Sequence, residues 1–147
     1  MQRRNLIGLT LAGVASGLIS KAAFAKEATT NLSSSANSMA GGVFYTKDAP
    51  GRWKGKEKGH LPIIEIKRES SDTFVQITTS HEMKKHEHYI IKHILLDGNF
   101  RFIGEKMFDP LKDKAPISRF RVGKYKGPFY ALSVCNKHDT WLDVGNI

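Results

Sequence analysis

From Val43 onward the apolar residues come in short runs that partly alternate with polar ones, and no stretch keeps the 3.6-residue period of a long amphipathic helix. Ile63-Ile64-Glu65-Ile66-Lys67 and Thr73-Phe74-Val75-Gln76-Ile77-Thr78 are rich in β-branched residues, so they read as two strands joined by a hairpin turn over 68–72. A third run, His88 to Leu96, ends at Asp97-Gly98-Asn99, and Phe100 to Met107 pairs naturally across that turn. Ser118 to Val122 and Phe129 to Val134 follow, each preceded by a proline-bearing break, Asp109-Pro110 and Gly127-Pro128. About seven short strands at this spacing predict an all-β fold, an immunoglobulin-like antiparallel β-sandwich.

The first 42 residues follow a different pattern. Arg3-Arg4 stand before an apolar run that reaches Ile19, and Ala23-Phe24-Ala25 has the small-x-small form of a signal-peptidase site. Residues 1–25 therefore resemble a twin-arginine export signal, which predicts a periplasmic protein. The run is broken by Thr10, Gly13, Ser16 and Gly17, too short and too mild for a comfortable spanning helix, so no membrane span is expected after processing. Residues 26–42 are rich in Ala, Ser, Thr and Asn, end in Gly41-Gly42 and read as a flexible linker, leaving 43–147 as the folded domain.

The chain of 147 residues suits one domain with an appendage, and its formal charge of +9 favours anionic partners. Loss of residues 1–25 removes Arg3, Arg4 and Lys21 and no acid, which takes the charge from +9 to +6. Basic residues are dispersed rather than blocked, and the pattern argues against nucleic acid as the partner.

Export sharpens the chemistry of Cys135, the single cysteine. It cannot form a disulfide within its own chain, so it is buried, paired between chains or protected by a metal. His138 lies three residues later, and His60, His81, His86, His88 and His93 complete the histidines. Thiolate sulfur and imidazole nitrogen are donors that late first-row metals prefer. A cysteine hydrolase fits less well, because nucleophile and base usually come from separate elements and no oxyanion-hole motif is visible.

Three ordered motifs carry a family resemblance: Trp53-Lys54-Gly55-Lys56-Glu57-Lys58-Gly59-His60-Leu61-Pro62; His81-Glu82-Met83 with His88-Tyr89-Ile90; and Tyr130 through Cys135-Asn136-Lys137-His138. Together they resemble superoxide reductase, the family also called neelaredoxin or desulfoferrodoxin, over about residues 43–147. Its pattern is Glu-Lys-His-x-Pro, His-Pro-x-x-x-x-His and Cys-Asn-x-His. The resemblance implies one non-haem iron per chain, with His60, His81, His88 and His138 in a plane and Cys135 beneath. It also implies one-electron reduction of superoxide to hydrogen peroxide. Gly59 is an added residue relative to that pattern, Glu82 replaces the usual Pro, and the His81–His88 spacing is one residue longer. His88 is favoured over His86 as ligand because it keeps the Tyr-Ile that follows, and His93 reads as an ordinary strand residue.

By the same resemblance Glu57 is the mobile carboxylate that approaches the sixth position of the oxidised iron. Lys58, with Lys56 as an alternative, attracts the superoxide anion. A single cysteine excludes the four-cysteine second iron centre of desulfoferrodoxins, so electrons must come from an unidentified external donor. A homo-oligomer is compatible with the sequence. The competing reading is a non-catalytic metal-binding or electron-transfer module holding zinc or copper in the same donors.

Overall fold

The computed structural model describes residues 38–147. Seven strands form two antiparallel sheets, as the strand-length runs predict. The three-stranded sheet has the order β1 (Pro62–Glu69), β2 (Asp72–Thr79), β5 (Ile117–Arg121). The four-stranded sheet has the order β4 (Phe102–Met107), β3 (Ile90–Asp97), β6 (Pro128–Cys135), β7 (Asp139–Asn146). A four-residue helix, α1 (Glu57–His60), precedes β1.

The alternation that predicted the strands also builds the core. Val75 and Ile77 from one sheet meet Leu95, Phe129 and Ala131 from the other, with Phe120 closing the layer. Burying each of the larger of these side chains stabilises the fold by about 1.5–3 kcal/mol. Gly104 fits closely here, because a Cβ on it would stand 3.0 Å from the Phe120 ring and the ring would have to give. A smaller cluster of Ile90, Phe108 and Cys135, with Met83 against it, forms the floor at one end of the sandwich.

Two strands start two residues later than the sequence reading, and one strand was not singled out. The strand expected from His88 starts at Ile90, since His88 makes an isolated bridge to Lys84 that closes a turn. The strand expected from Phe100 starts at Phe102. Phe100 has φ +62, and the Asp97 carboxylate accepts from the backbone N–H of Asn99 and Arg101, holding 97–101 as the turn. The strand not singled out by pattern is β7, which opens at Asp139 with φ +59 and buries only Trp141 fully. Of the segment read as a linker, residues 38–42 are described: Ala40 bridges Phe44, and the Gly41 N–H donates to the Phe44 carbonyl at 2.7 Å. The export signal lies outside the described residues.

The topology brings α1, the end of β2, the turn before β3 and the β6–β7 turn to one end of the sandwich. These four places carry the candidate metal ligands.

Candidate metal centre

His60 closes α1 and is buried. Its Nδ1 donates to the Lys56 carbonyl, one turn back, at 2.8 Å. A carbonyl can only accept, so the neutral ring carries its proton on Nδ1 and its lone pair on Nε2. That Nε2 is buried and has no hydrogen-bond partner among the described residues. Leaving a buried polar atom unpaired costs about 1–3 kcal/mol, so the orphan marks a place where one more atom belongs. Gly59 is absorbed into the helical turn, its N–H donating to the Lys56 carbonyl at 3.2 Å.

The other donors converge on the same point. His81 follows β2, and its Nδ1 donates to the Glu82 carbonyl, again leaving Nε2 with the lone pair. His81 Nε2 lies 3.1 Å from His88 Nε2, which lies 3.0 Å from His138 Nδ1. Two nitrogens each about 2.1 Å from one ion and at right angles stand about 3 Å apart, so these spacings suit neighbouring ligands. Cys135 Sγ lies 4.0 Å from His81 Nε2 and 3.8 Å from His138 Nδ1. The ligand atoms of His60, His81, His88 and Cys135 all fall within 4.8 Å of one another.

Around these rings stands a supporting set of hydrogen bonds. Asn136 accepts the Tyr89 N–H on Oδ1 at 3.0 Å, while its Nδ2 donates to the carbonyls of His86 and Glu87 at 3.3 and 3.2 Å. This side chain therefore ties the turn bearing His88 to the end of the strand bearing Cys135. The Lys137 N–H donates to Cys135 Sγ at 3.4 Å. Trp141 Nε1 donates to the His138 carbonyl at 2.8 Å, and the Trp53 indole meets the His138 ring edge-on at 4.7 Å. Trp53 Nε1 and Arg52 both bind the Asp139 carboxylate, which fastens the segment before α1 to the β6–β7 turn.

Burial keeps the imidazoles neutral. It pulls His60 and His88 down to about 4, and it lowers His81 and His138 as well. At His138 the Lys56 ammonium adds to that depression, and Lys137 contributes at both His88 and His138. Burial pushes the Cys135 thiol up, against the N–H groups of Lys137 and His138 that favour thiolate. Neutral imidazoles with free lone pairs and a thiol that needs a cation to deprotonate fit a thiophilic metal ion.

The structure thus assembles His60, His81, His88, His138 and Cys135. His86 stays outside, its ring edge-on to Tyr89 at 6.3 Å and its carbonyl engaged by Asn136. His93 is fully buried elsewhere, between Ser118 Oγ at 2.8 Å and Thr79 Oγ1 at 2.9 Å. Glu57 shares α1 with His60, and its Oε1 accepts the Gly55 N–H at 3.0 Å. That contact is the main reason its carboxyl sits below the ordinary value. Lys58 is exposed on the same helix. The sequence reading looked to backbone N–H groups around Asn136 and missed the amide side chain. The available signal was an Asn immediately after the one Cys, a residue suited to bridging backbone groups of two loops.

Such a cluster of imidazoles and one thiol at one end of an antiparallel sandwich is a donor set that could hold a metal ion. The desulfoferrodoxin family model matches residues 52–143, and the chain belongs to that family. It is similar to the superoxide reductase of Pyrococcus abyssi, 34% identical over 103 residues, covering 62% of this chain and 87% of that protein. The superoxide reductase of Pyrococcus horikoshii is 31% identical over 105 residues with the same coverage. Among solved structures, a superoxide reductase (neelaredoxin) from Ignicoccus hospitalis superposes with a TM-score of 0.62 at 25% identity, covering 73% of this chain and 94% of that one.

Proposed function

We propose that this protein is a superoxide reductase, reducing superoxide by one electron and two protons to hydrogen peroxide. The observation that carries the reading is the convergence of His60, His81, His88, His138 and Cys135 donors around the orphaned His60 Nε2. These residues would hold one iron per chain, His60, His81 and His88 through Nε2, His138 through Nδ1 and Cys135 through Sγ. When bound, iron supplies the single electron by moving between the ferrous and ferric states, and thiolate ligation raises its electron density. The chain's own residues do the rest. The Lys56 and Glu82 carbonyls hold the rings of His60 and His81 in the tautomer that presents Nε2. Asn136 keeps the His88 turn in register with Cys135, and the Lys137 N–H tempers the sulfur.

Lys58 and Lys56 would supply positive charge for an anionic substrate, and Glu57, whose carboxylate accepts the Gly55 N–H, would supply a carboxylate to the site on releasing that contact. The electron donor is an external protein or small reductant. Residues 1–25 direct export to the periplasm, 26–42 act as a linker and 43–147 form the catalytic domain. Lysine at both Arg3 and Arg4 should retain the protein in the cytoplasmic fraction.

Metal analysis with a visible spectrum tests the function directly. Iron near one per chain and a thiolate charge-transfer band that superoxide and ascorbate both bleach are expected. Zinc or copper in place of iron, or a band untouched by superoxide, would make this a non-catalytic metal or electron-transfer module.

A further inference from the structure

The core pattern breaks at the end of the sandwich away from the metal ligands. Alternation along β1 and β2 turns the pairs Ile64–Ile77 and Ile66–Val75 towards the core, and the next pair on that face is Arg68–Thr73. An arginine thus stands where an apolar side chain would close the gap between the sheets. At about 3.3 Å per residue, it lies about 20 Å along β1 from the Pro62 end that follows His60. The cavity at this rim is lined by Arg68 together with Ser71, Thr73, Lys124 and Lys126, and no aspartate or glutamate side chain lines it.

The carboxylates of the hairpin are engaged elsewhere. On the outer face of the same sheet Lys67 pairs with Glu65, Arg119 with Glu69 and Arg121 with Asp72. Arg68, Lys124 and Lys126 have no such partner among the described residues, so like charges face one cavity uncompensated. An anion between them relieves that repulsion.

The loop that brings the two lysines is held in place. The Val122 N–H donates to the Thr73 carbonyl at 2.9 Å, and Gly127 and Ile147 exchange backbone hydrogen bonds at 3.3 and 3.2 Å. Between the lysines, the Tyr125 hydroxyl accepts the Gly98 N–H at 2.9 Å and donates to the Pro128 carbonyl at 2.5 Å. Gly123 makes the turn with φ +58, and a Cβ on it would meet nothing within 4 Å, so the backbone conformation rather than space calls for glycine. A loop already fixed loses little freedom when a ligand binds.

We propose that this cavity binds a phosphate group, carried by a free phosphate compound or by an anionic lipid headgroup. The Arg68 guanidinium offers a planar fork of donors, Lys124 and Lys126 offer charge, and Ser71 and Thr73 offer hydroxyls. Such a set suits an oxyanion with several acceptor oxygens.

Calorimetric titration of the full, metal-loaded chain with inorganic phosphate at fixed ionic strength tests this, beside flotation with vesicles of phosphatidylcholine, alone or mixed equally with phosphatidylglycerol. Saturable binding to phosphate but not to vesicles identifies a free phosphate compound as the ligand; binding to the phosphatidylglycerol vesicles identifies the headgroup. Arg68→Gln and Lys124→Gln should each weaken that binding about tenfold or more, with far-ultraviolet circular dichroism and the visible band unchanged. Lys114→Gln removes the same charge outside the cavity and should bind within about twofold of wild type. A wild type that binds neither phosphate nor the anionic vesicles overturns the proposal. Equal weakening by Lys114→Gln overturns it too, since attraction would then follow net charge alone. Phosphate that shifts the visible band in wild type and Arg68→Gln alike occupies the metal site instead, which also overturns it.

Discussion

Two buried histidines, His60 and His93, teach opposite lessons. Both are pulled down to about 4, mainly by burial, and so both are neutral in the folded protein near neutral pH. His93 has both ring nitrogens satisfied, by Ser118 Oγ and Thr79 Oγ1, and Thr79 donates onward to Ser133 Oγ at 2.9 Å. The four side chains come from β5, β3, β2 and β6, so this closed network stitches the two sheets together. His60 has one nitrogen satisfied and the other left without a partner among the described residues. A complete set of hydrogen bonds marks a structural residue; an incomplete one, with other donors aimed at the same point, marks a candidate ligand.

The sharpest way to break the contrast is at the sulfur. Cys135→Ser should abolish the visible band and superoxide reduction while circular dichroism shows the sandwich intact, because the larger apolar cluster does not include that thiol. A wild-type spectrum in this variant would falsify the ligand assignment. His88→Ala should likewise lose iron or shift its spectrum, whereas His86→Ala, outside the cluster, should leave both near wild type.

At His93 the expected effect falls on stability instead. His93→Ala should destabilise the fold by about 3 kcal/mol, through a cavity and two stranded hydroxyls, while the folded fraction keeps its iron spectrum. Acid should reveal the same residue. Its folded value of about 4 lies below the ordinary value of 6.5, so between these pH values the unfolded chain binds the additional proton. Stability then falls as pH drops from 6.5 towards 4, and His93 contributes roughly 3 kcal/mol of that loss. Denaturant unfolding of wild type and His93→Gln across this window should show the gap between them narrowing on acidification. A constant gap would mean that His93 does not titrate as its burial requires.

Asn136 should behave between the two extremes. It touches backbone groups of the His88 turn but is not itself among the ligand atoms. Asn136→Ala should weaken iron retention against a chelator by about 10–100-fold and leave the unfolding free energy of the metal-free chain within about 1 kcal/mol. Retention equal to wild type would show that the turn is held by its own bridge alone.

These differences explain what could be read from sequence. The paired strands were legible because one buried face imposes alternation, as in Phe74-Val75-Gln76-Ile77-Thr78. β7 was not, since only Trp141 of its eight residues is fully buried and the rest follow register imposed by β6. The candidate donors were legible from motif order: the geometry gathers those of His60, His81, His88 and Cys135 within 4.8 Å, with His138 Nδ1 beside His88 and Cys135. What sequence could not assign was the hydrogen-bonded surroundings: that Asn136 reaches back 47 residues to Tyr89, or that His93 meets hydroxyls from the opposing sheet. Such partners are chosen by tertiary packing, and no local spacing encodes them.

The smallest expected effect concerns the cations beside the site. Lys58 is exposed on α1, and Lys56, whose carbonyl orients His60, has an ammonium that acts on His138. A lysine that works by attracting an anion changes the second-order rate, and salt screens that change over a Debye length of about 10 Å at 0.1 M. Lys58→Ala should therefore lower the rate with superoxide several-fold at low ionic strength, flatten its salt dependence and leave iron content and band unchanged. Lys56→Ala should do the same, because its side chain is not what holds the His60 ring. Pulse radiolysis of both variants over a salt series separates them: a wild-type rate and slope for Lys58→Ala beside a reduced, flatter response for Lys56→Ala would transfer the steering role to Lys56. The Gly59 residue that closes α1 into a full turn would then be the cause, having turned Lys58 away from the approaching anion.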